Sequence, residues 1–378
     1  MSAFRRTHES HQPGARTLPR EYYTSPEIFA QEQERIFQRH WHCVGRASAF
    51  RKPGEFQLRT VASESLILVR DRAGVLHAHF NVCRHRGTQL CRETSGQLGE
   101  TIQCPYHAWT YALDGRLVGA PHMNETPGFE KQDYPLHEAA VAEWEGFVFV
   151  NISRSAEPFD SWFAPMLRRL ARFALPSLKV GHRAQYEVRA NWKLVFQNYS
   201  ECLHCPMIHP ELSTVLPYQS GANDLTTGAF LGGYMEIRPP HESATLTGRA
   251  CGRLLNDHLA GDDVQRAYYY TFMPNMALSI HPDYANYYLI TPVAVDRTIV
   301  ETEWMFNPQN EGNPNFNPSD AIDFWDVTNR QDWDICERSQ LGVSSRRYEP
   351  GPYSPRESIP AAWDAEYLRM MQPPRPSA

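Results

Sequence analysis

Several absences narrow the reading of this 378-residue chain before any motif is considered. No uninterrupted apolar run approaches the roughly 20 residues that a membrane-spanning helix needs, so nothing is expected to cross a bilayer. No long basic block occurs, and 37 basic against 43 acidic residues give a formal charge of −6, which argues against a nucleic-acid partner. No Gly-x-Gly-x-x-Gly follows a strand-like run, so a nicotinamide site is not expected. Internal repeats are missing too. Residues 1–20 are polar, contain Pro13, Gly14 and Pro19 and lack the apolar core of a secretory signal, so a disordered segment and a cytoplasmic protein are expected. The eight cysteines, at 43, 83, 91, 104, 202, 205, 251 and 336, lack the spacing of a disulfide framework. Cys202 and Cys205 could form a metal or redox pair, but small buried thiols are the commoner state and the expectation.

What is present is concentrated in two short clamps. Cys83-Arg84-His85-Arg86-Gly87 and Cys104-Pro105-Tyr106-His107-Ala108-Trp109 each offer one thiolate and one imidazole. Two cysteines on one iron and two histidines on the other is the ligand set of a Rieske [2Fe–2S] cluster. Neutral imidazoles in place of two thiolates make such a cluster accept an electron more readily. A structural zinc ion could also use two Cys and two His, but zinc fingers usually pair Cys with Cys and His with His. Gly87 suits a tight turn around a cluster, and Pro105 stiffens the second loop.

Around the clamps, short β-like runs at Gln57–Thr60, Leu66–Val69, Val75–Phe80 and Phe147–Asn151, separated by Gly and Asp turns, predict a small all-β domain over residues 41–152. Ser25 and Pro26 open a helix reaching about Gln38. Trp162, Phe163, Met166, Leu167, Leu170 and Phe173 predict an amphipathic helix over 160–173. A strand over 183–190, a helix capped by Asn191 and running to about Leu203, and strands at Ala267–Met273, Ala277–His281, Asn286–Val295 and Thr298–Phe306 follow. Residues 210–265 read as irregular, a helix spans about Ser319–Leu341, and the Pro-rich tail is expected to wrap the surface. This is an α+β chain, with residues 21–40 and 153–378 forming the second domain.

A second constellation lies in that domain: Asn198-Tyr199-Ser200-Glu201-Cys202-Leu203-His204-Cys205-Pro206-Met207-Ile208-His209. His204 and His209 can converge on one ion if a helix ends between them, and Pro206 favours such an end. Two His and one carboxylate form the facial triad of non-haem Fe(II) oxygenases, which leaves corners open for O2. Glu201, three residues before His204, shares its helix face.

Taken together, these motifs resemble the catalytic α subunit of the Rieske-type non-haem iron oxygenases, from about Leu18 to the last helix. The resemblance implies an all-β Rieske [2Fe–2S] domain holding its cluster on Cys83, His85, Cys104 and His107, and a helix-grip catalytic domain, an antiparallel sheet with helices. It implies a mononuclear Fe(II) on His204, His209 and a downstream acid, with Asp332 fitting best and Asp323, Asp326 and Asp334 competing. It implies that Glu201 bridges electron transfer, and a homotrimer in which one subunit's cluster faces a neighbour's iron. An NAD(P)H-dependent flavin/iron–sulfur reductase would feed the cluster, with O2 and a small molecule as substrates. Glu at 201, where many aromatic-ring members carry Asp, resembles the branch acting on carnitine, glycine betaine, choline and proline betaine. Oxidative N-demethylation with formaldehyde release is the implied chemistry. Tyr199, Tyr268, Tyr269, Tyr270, Phe272, Tyr287, Tyr288 and Trp325 are candidate walls for a quaternary ammonium, by cation–π attraction. Hydroxylation of an aromatic ring, O-demethylation of an aromatic ether, and a non-catalytic electron carrier are the competing expectations.

Overall fold

The computed structural model describes residues 4–373, which fall into two compact units: residues 36–162, and residues up to 35 together with those from 163 onward. The first unit is all β. A seven-stranded antiparallel sheet runs in the order His42–Arg46, Phe147–Asn151, Glu138–Trp144, Leu76–Phe80, Glu64–Arg70, Glu55–Val61, Ser95–Gln97. A separate three-stranded sheet joins Thr101–Gln103, Thr110–Ala112 and Leu117–Gly119. Phe56, Ile67 and Val69 supply one wall of the core, while Leu66 and Leu68, on the other face of the Ile67 strand, are buried in a second cluster; Cys83, Cys104, Trp109 and Tyr111 pack with the first. The clamps therefore grow from the core rather than from mobile loops.

In the second unit an eight-stranded antiparallel sheet runs Arg5–Arg6, Ala222–Leu225, Phe230–Glu236, Arg266–Phe272, Met276–Ile280, Tyr284–Ala294, Arg297–Phe306, Lys179–Val188. The 26-residue helix Pro318–Val343 lies against it, with Ala321, Phe324 and Trp325 in one core with Tyr284, Trp304 and Phe306. The helix Trp192–Tyr199 starts where expected, because the Asn191 carboxamide accepts the Lys193 N–H at 3.1 Å. It is locked by a buried ion pair: Lys193 Nζ lies 2.5 Å from Glu32 Oε1, and both side chains are fully buried. Trp192 Nε1 and Tyr367 Oη also donate to Glu32, so the carboxylate is satisfied.

Several expectations are corrected. The N-terminal segment is ordered from residue 4: Arg5 and Arg6 pair with Asn223 and Ala222, Arg16 bridges Pro352, and Leu18 is buried. Its polar composition hid the partners, which come from distant sequence; the first three residues of that expectation lie outside those described. The helix expected over 160–173 is only Phe159–Trp162, followed by turns, because Pro165 cannot continue a helix. Phe163, Met166, Leu170 and Phe173 are buried all the same. Within 210–265, a short helix Pro210–Val215 and strands Ala222–Leu225 and Phe230–Glu236 replace irregular chain. Gly232 and Gly233 lie in one of these strands, and a Cβ on either would strike the backbone of the strand beside it, at Tyr269 and Ala222. The tail is not a surface wrap: Ser358–Met370 is a helix burying Trp363 and Tyr367, with Pro360 tolerated in its first turn.

Candidate active site

The two clamps have the same backbone architecture. In each, the Cys N–H donates to the carbonyl five residues on (Cys83 to Thr88, 2.9 Å; Cys104 to Trp109, 2.8 Å). In each, the N–H four residues on donates back to the Cys carbonyl (Gly87, 3.0 Å; Ala108, 3.1 Å). The closing residue is left-handed in both, with φ of 73° at Gly87 and 56° at Ala108. Nothing lies within 4 Å of a Cβ built on Gly87, so its backbone conformation and not crowding favours glycine there. The Cys83 and Cys104 thiols are free and buried, while His85 is exposed and stands 4.8 Å from the His107 ring. Slight burial, His107 and Arg86 lower the His85 pKa, which keeps it the neutral imidazole a ligand must be. Tyr111 Oη accepts the Arg84 N–H at 3.0 Å and lies 3.3 Å from Cys83 Sγ; a thiolate at Cys83, the form a cluster ligand takes, could only accept, which would make the tyrosine the donor.

This donor set suits two irons better than one zinc. Tetrahedral zinc would hold all four donor atoms within about 3.8 Å of each other. Among the described residues, the clamp side chains do not form a group that tight. Sulfur donors inside and imidazoles outside fit a cluster exposing its histidine-bound iron to an electron partner.

The group that does converge is His204, His209 and Asp332, whose ligand atoms all lie within 4.8 Å of one another. The helix from Trp192 ends at Tyr199, so Glu201 and His204 sit in the following turn rather than on its face. Cys205–Ile208 forms one helical turn with Pro206 at its start, and His209 ends it. Asp332 arrives from the middle of Pro318–Val343, its Oδ1 lying 2.8 Å from His209 Nε2 and 3.2 Å from His204 Nε2. Donors at right angles on an ion with bonds of about 2.1 Å stand about 3 Å apart, so Asp332 Oδ1 lies at the spacing of a corner adjacent to each imidazole. The competitors are engaged elsewhere: Asp326 accepts from Tyr186 and Arg330, Asp334 pairs with Arg338, and Asp323 is exposed.

Both imidazoles are held from behind. His204 Nδ1 donates to Glu201 Oε1 at 2.6 Å, and His209 Nδ1 donates to Gln331 Oε1 at 2.7 Å, so Nε2 is the nitrogen each ring has left to offer a metal. Glu201 also accepts the N–H groups of Leu203 and His204, which fixes the turn. Burial opposes charge on His204, yet Asp332 and Glu201 hold its imidazolium up to about 10. Burial also opposes the Asp332 carboxylate, but its bonds to His204 and His209 keep it below the usual range. A site this electronegative is built for a cation. Gln331 was missed from sequence, where it stood only beside the candidate acid. The expectation of thiols at Cys202 and Cys205 is corrected: they form a disulfide flanking His204. Three residues apart, in a turn, their α-carbons come within 4.9 Å, in bonding range.

A cavity of about 940 Å³, its open mouth included, adjoins the triad. Of the aromatic candidates, Tyr199, Tyr269 and Trp325 line it, with ring centroids 6.3 Å (Tyr199–Tyr269) and 6.5 Å (Tyr269–Trp325) apart. Tyr268, Tyr270, Phe272, Tyr287 and Tyr288 are buried and do not line it. The Tyr269 hydroxyl is buried without a hydrogen-bond partner.

Comparison with known proteins gives consistent matches. Residues 175–373 match the ring hydroxylating alpha subunit (catalytic domain), and residues 40–131 match the Rieske [2Fe-2S] domain. The glycine betaine monooxygenase oxygenase subunit of Chromohalobacter salexigens is 30% identical over 370 residues, 90% of this chain and 82% of the relative. The carnitine monooxygenase oxygenase subunit of Acinetobacter pittii is 37% identical over 196 residues, 51% of this chain and 53% of the relative. A solved quaternary ammonium Rieske monooxygenase, described for carnitine oxidation by gut microbiota and inter-subunit electron transfer, superposes with a TM-score of 0.78. It is 26% identical, covering 94% of this chain and 96% of that one.

Proposed function

Because this chain belongs to the ring-hydroxylating Rieske oxygenase α subunits, carrying a [2Fe–2S] cluster and a mononuclear iron, we propose that it oxidatively demethylates a quaternary ammonium compound. The observation that carries the substrate class is the line of Tyr199, Tyr269 and Trp325 along the cavity beside the triad. A trimethylammonium cannot donate hydrogen bonds, and aromatic faces are what attract it. The relatives named for glycine betaine and carnitine point the same way.

When bound, the cluster delivers single electrons and the ferrous iron activates O2. The protein's own part is positional. Cys83, His85, Cys104 and His107 would hold the cluster, and His204, His209 and Asp332 would hold the iron, a ligand set that suits O2 chemistry. Glu201 and Gln331 fix both imidazole tautomers, and Glu201 is also the electron bridge from a cluster histidine to His204. The aromatic wall would keep an N-methyl group beside the triad. Hydroxylation there yields a carbinolamine that collapses to formaldehyde and the tertiary amine. The balance is one betaine, one O2, two electrons and two protons, giving the protonated tertiary amine, formaldehyde and water; the carbinol proton ends on the amine nitrogen. A separate NAD(P)H-dependent reductase supplies the electrons, and a homotrimer pairs cluster and iron from neighbouring subunits. Among the described residues no helix is long and apolar enough to cross a membrane.

Oxygen uptake with a generic reductase, against betaines, choline and aromatic acids, tests the reading. Formaldehyde released in step with O2 from a quaternary amine is expected. Turnover of aromatic acids or ethers alone would replace this reading with the aromatic one. Two irons per chain instead of three would indicate an electron carrier.

A further inference from the structure

The cavity beside the triad has one cationic side chain of the Lys/Arg type in its lining, Arg356. It is half-buried, and among the described residues its guanidinium has no hydrogen bond, ion pair or aromatic contact. Its backbone, in contrast, is tightly fixed. The Arg356 N–H donates to Ser354 Oγ at 3.1 Å, Glu357 Oε2 accepts the Ser354 N–H at 2.8 Å, and Ser358 Oγ donates to the Thr7 carbonyl at 2.7 Å. A guanidinium on a fixed turn, partly withdrawn from water and unpaired, is free to take a carboxylate through paired N–H···O bonds. The acids of the lining do not supply that anion: Asp332 is committed to His204 and His209, and Glu201 to His204 and two backbone N–H groups.

Resting on the quaternary-ammonium reading above, we propose that Arg356 anchors the substrate carboxylate, and that the substrates are therefore zwitterionic betaines rather than amino alcohols. The cation lies against Tyr199, Tyr269 and Trp325, where only ring faces are needed. The carboxylate takes the planar fork of Arg356 through paired N–H···O bonds, which a hydroxyl or an ester cannot accept with a full charge. Arg356 is a positioning and specificity residue; it takes no part in bond breaking.

The test uses the full-length, metal-loaded protein with glycine betaine, its methyl ester and choline as probes. Binding is read from intrinsic fluorescence, because Trp325 lines the cavity, and KM and kcat are read from formaldehyde release. For Arg356→Gln, Kd and KM for glycine betaine are expected to rise 10- to 100-fold with little change in kcat, the size of one charge-assisted contact. Values for choline and the ester should move less than about twofold, the change expected when no contact is lost. Arg356→Lys should recover part of the loss. Equal losses for charged and uncharged probes, or no loss for glycine betaine, would overturn the anchor. So would a change in the oligomer's elution volume, since the guanidinium would then serve a subunit contact. Wild-type protein that turns over no quaternary amine would instead defeat the functional reading itself, and with it the anchor.

Discussion

The supports behind His204 and His209, the proposed iron ligands, allow a paired experiment. Glu201 and Gln331 do the same mechanical task, accepting Nδ1–H of His204 at 2.6 Å and of His209 at 2.7 Å, but only one carries a charge. Glu201→Gln keeps an acceptor oxygen and removes the charge. A charge-assisted bond contributes about 1–1.5 kcal/mol more than a neutral one, so iron affinity should fall about tenfold. Gln331→Leu leaves the His209 N–H buried without a partner, at about 1–3 kcal/mol, and affinity should fall roughly 5- to 160-fold. Anaerobic Fe(II) titration measures both. At saturating iron the variants should part. If Glu201 is the electron bridge, reoxidation of the reduced cluster on mixing with O2 and substrate slows in Glu201→Gln and not in Gln331→Leu. Stopped-flow absorbance of the cluster reads this directly. Wild-type reoxidation in Glu201→Gln, or equal slowing in both variants, would refute the bridge and leave Glu201 an orienting acid.

Other outcomes follow from the same structure. Asp332→Asn and His204→Ala should each lower the iron content from three to two per chain while the visible spectrum of the cluster persists; metal analysis with absorption spectroscopy checks this. Tyr111→Phe removes the hydroxyl that would donate to a Cys83 thiolate (3.3 Å) and should lower the cluster's reduction potential by roughly 40–60 mV, measured by redox titration. Lys193→Met leaves Glu32 charged and fully buried with only Trp192 and Tyr367 as donors, and should cost about 3–5 kcal/mol in urea denaturation.

What could be read from sequence was what is local. Each clamp closes within six residues, and His204 and His209 sit in one turn, so spacing alone exposed them. Asp332 comes from 123 positions beyond His209, and on its helix nothing local marks it out from Asp323, Asp326 or Asp334. Its distinction is directional: it alone of these faces the imidazoles. Gln331 was invisible for the same reason. The strands around Gly232 and Gly233 were hidden because their glycines, normally a sign of irregular chain, answer a close backbone approach set by strands far away in sequence. Pro360 masked a helix whose first turn accepts it. Cys202 and Cys205 were misjudged because bonding distance depends on how the turn is wound, which spacing does not specify. Arg356 needed the cavity to be seen at all.

In sequence, residues 36–162 interrupt the stretch that makes up the other unit, and this order has a bearing on biogenesis. That segment is contiguous and its strand pairings are internal to it, so its sheets need no residue made later in translation. Arg5 and Arg6 must wait for Ala222 and Asn223, and Arg16 must wait for Pro352. The ribosome thus delivers the cluster's cradle complete while the opening residues of the chain are still without partners. Iron–sulfur insertion can precede ferrous loading, and a chain arrested midway would emerge coloured but unable to spend its electrons.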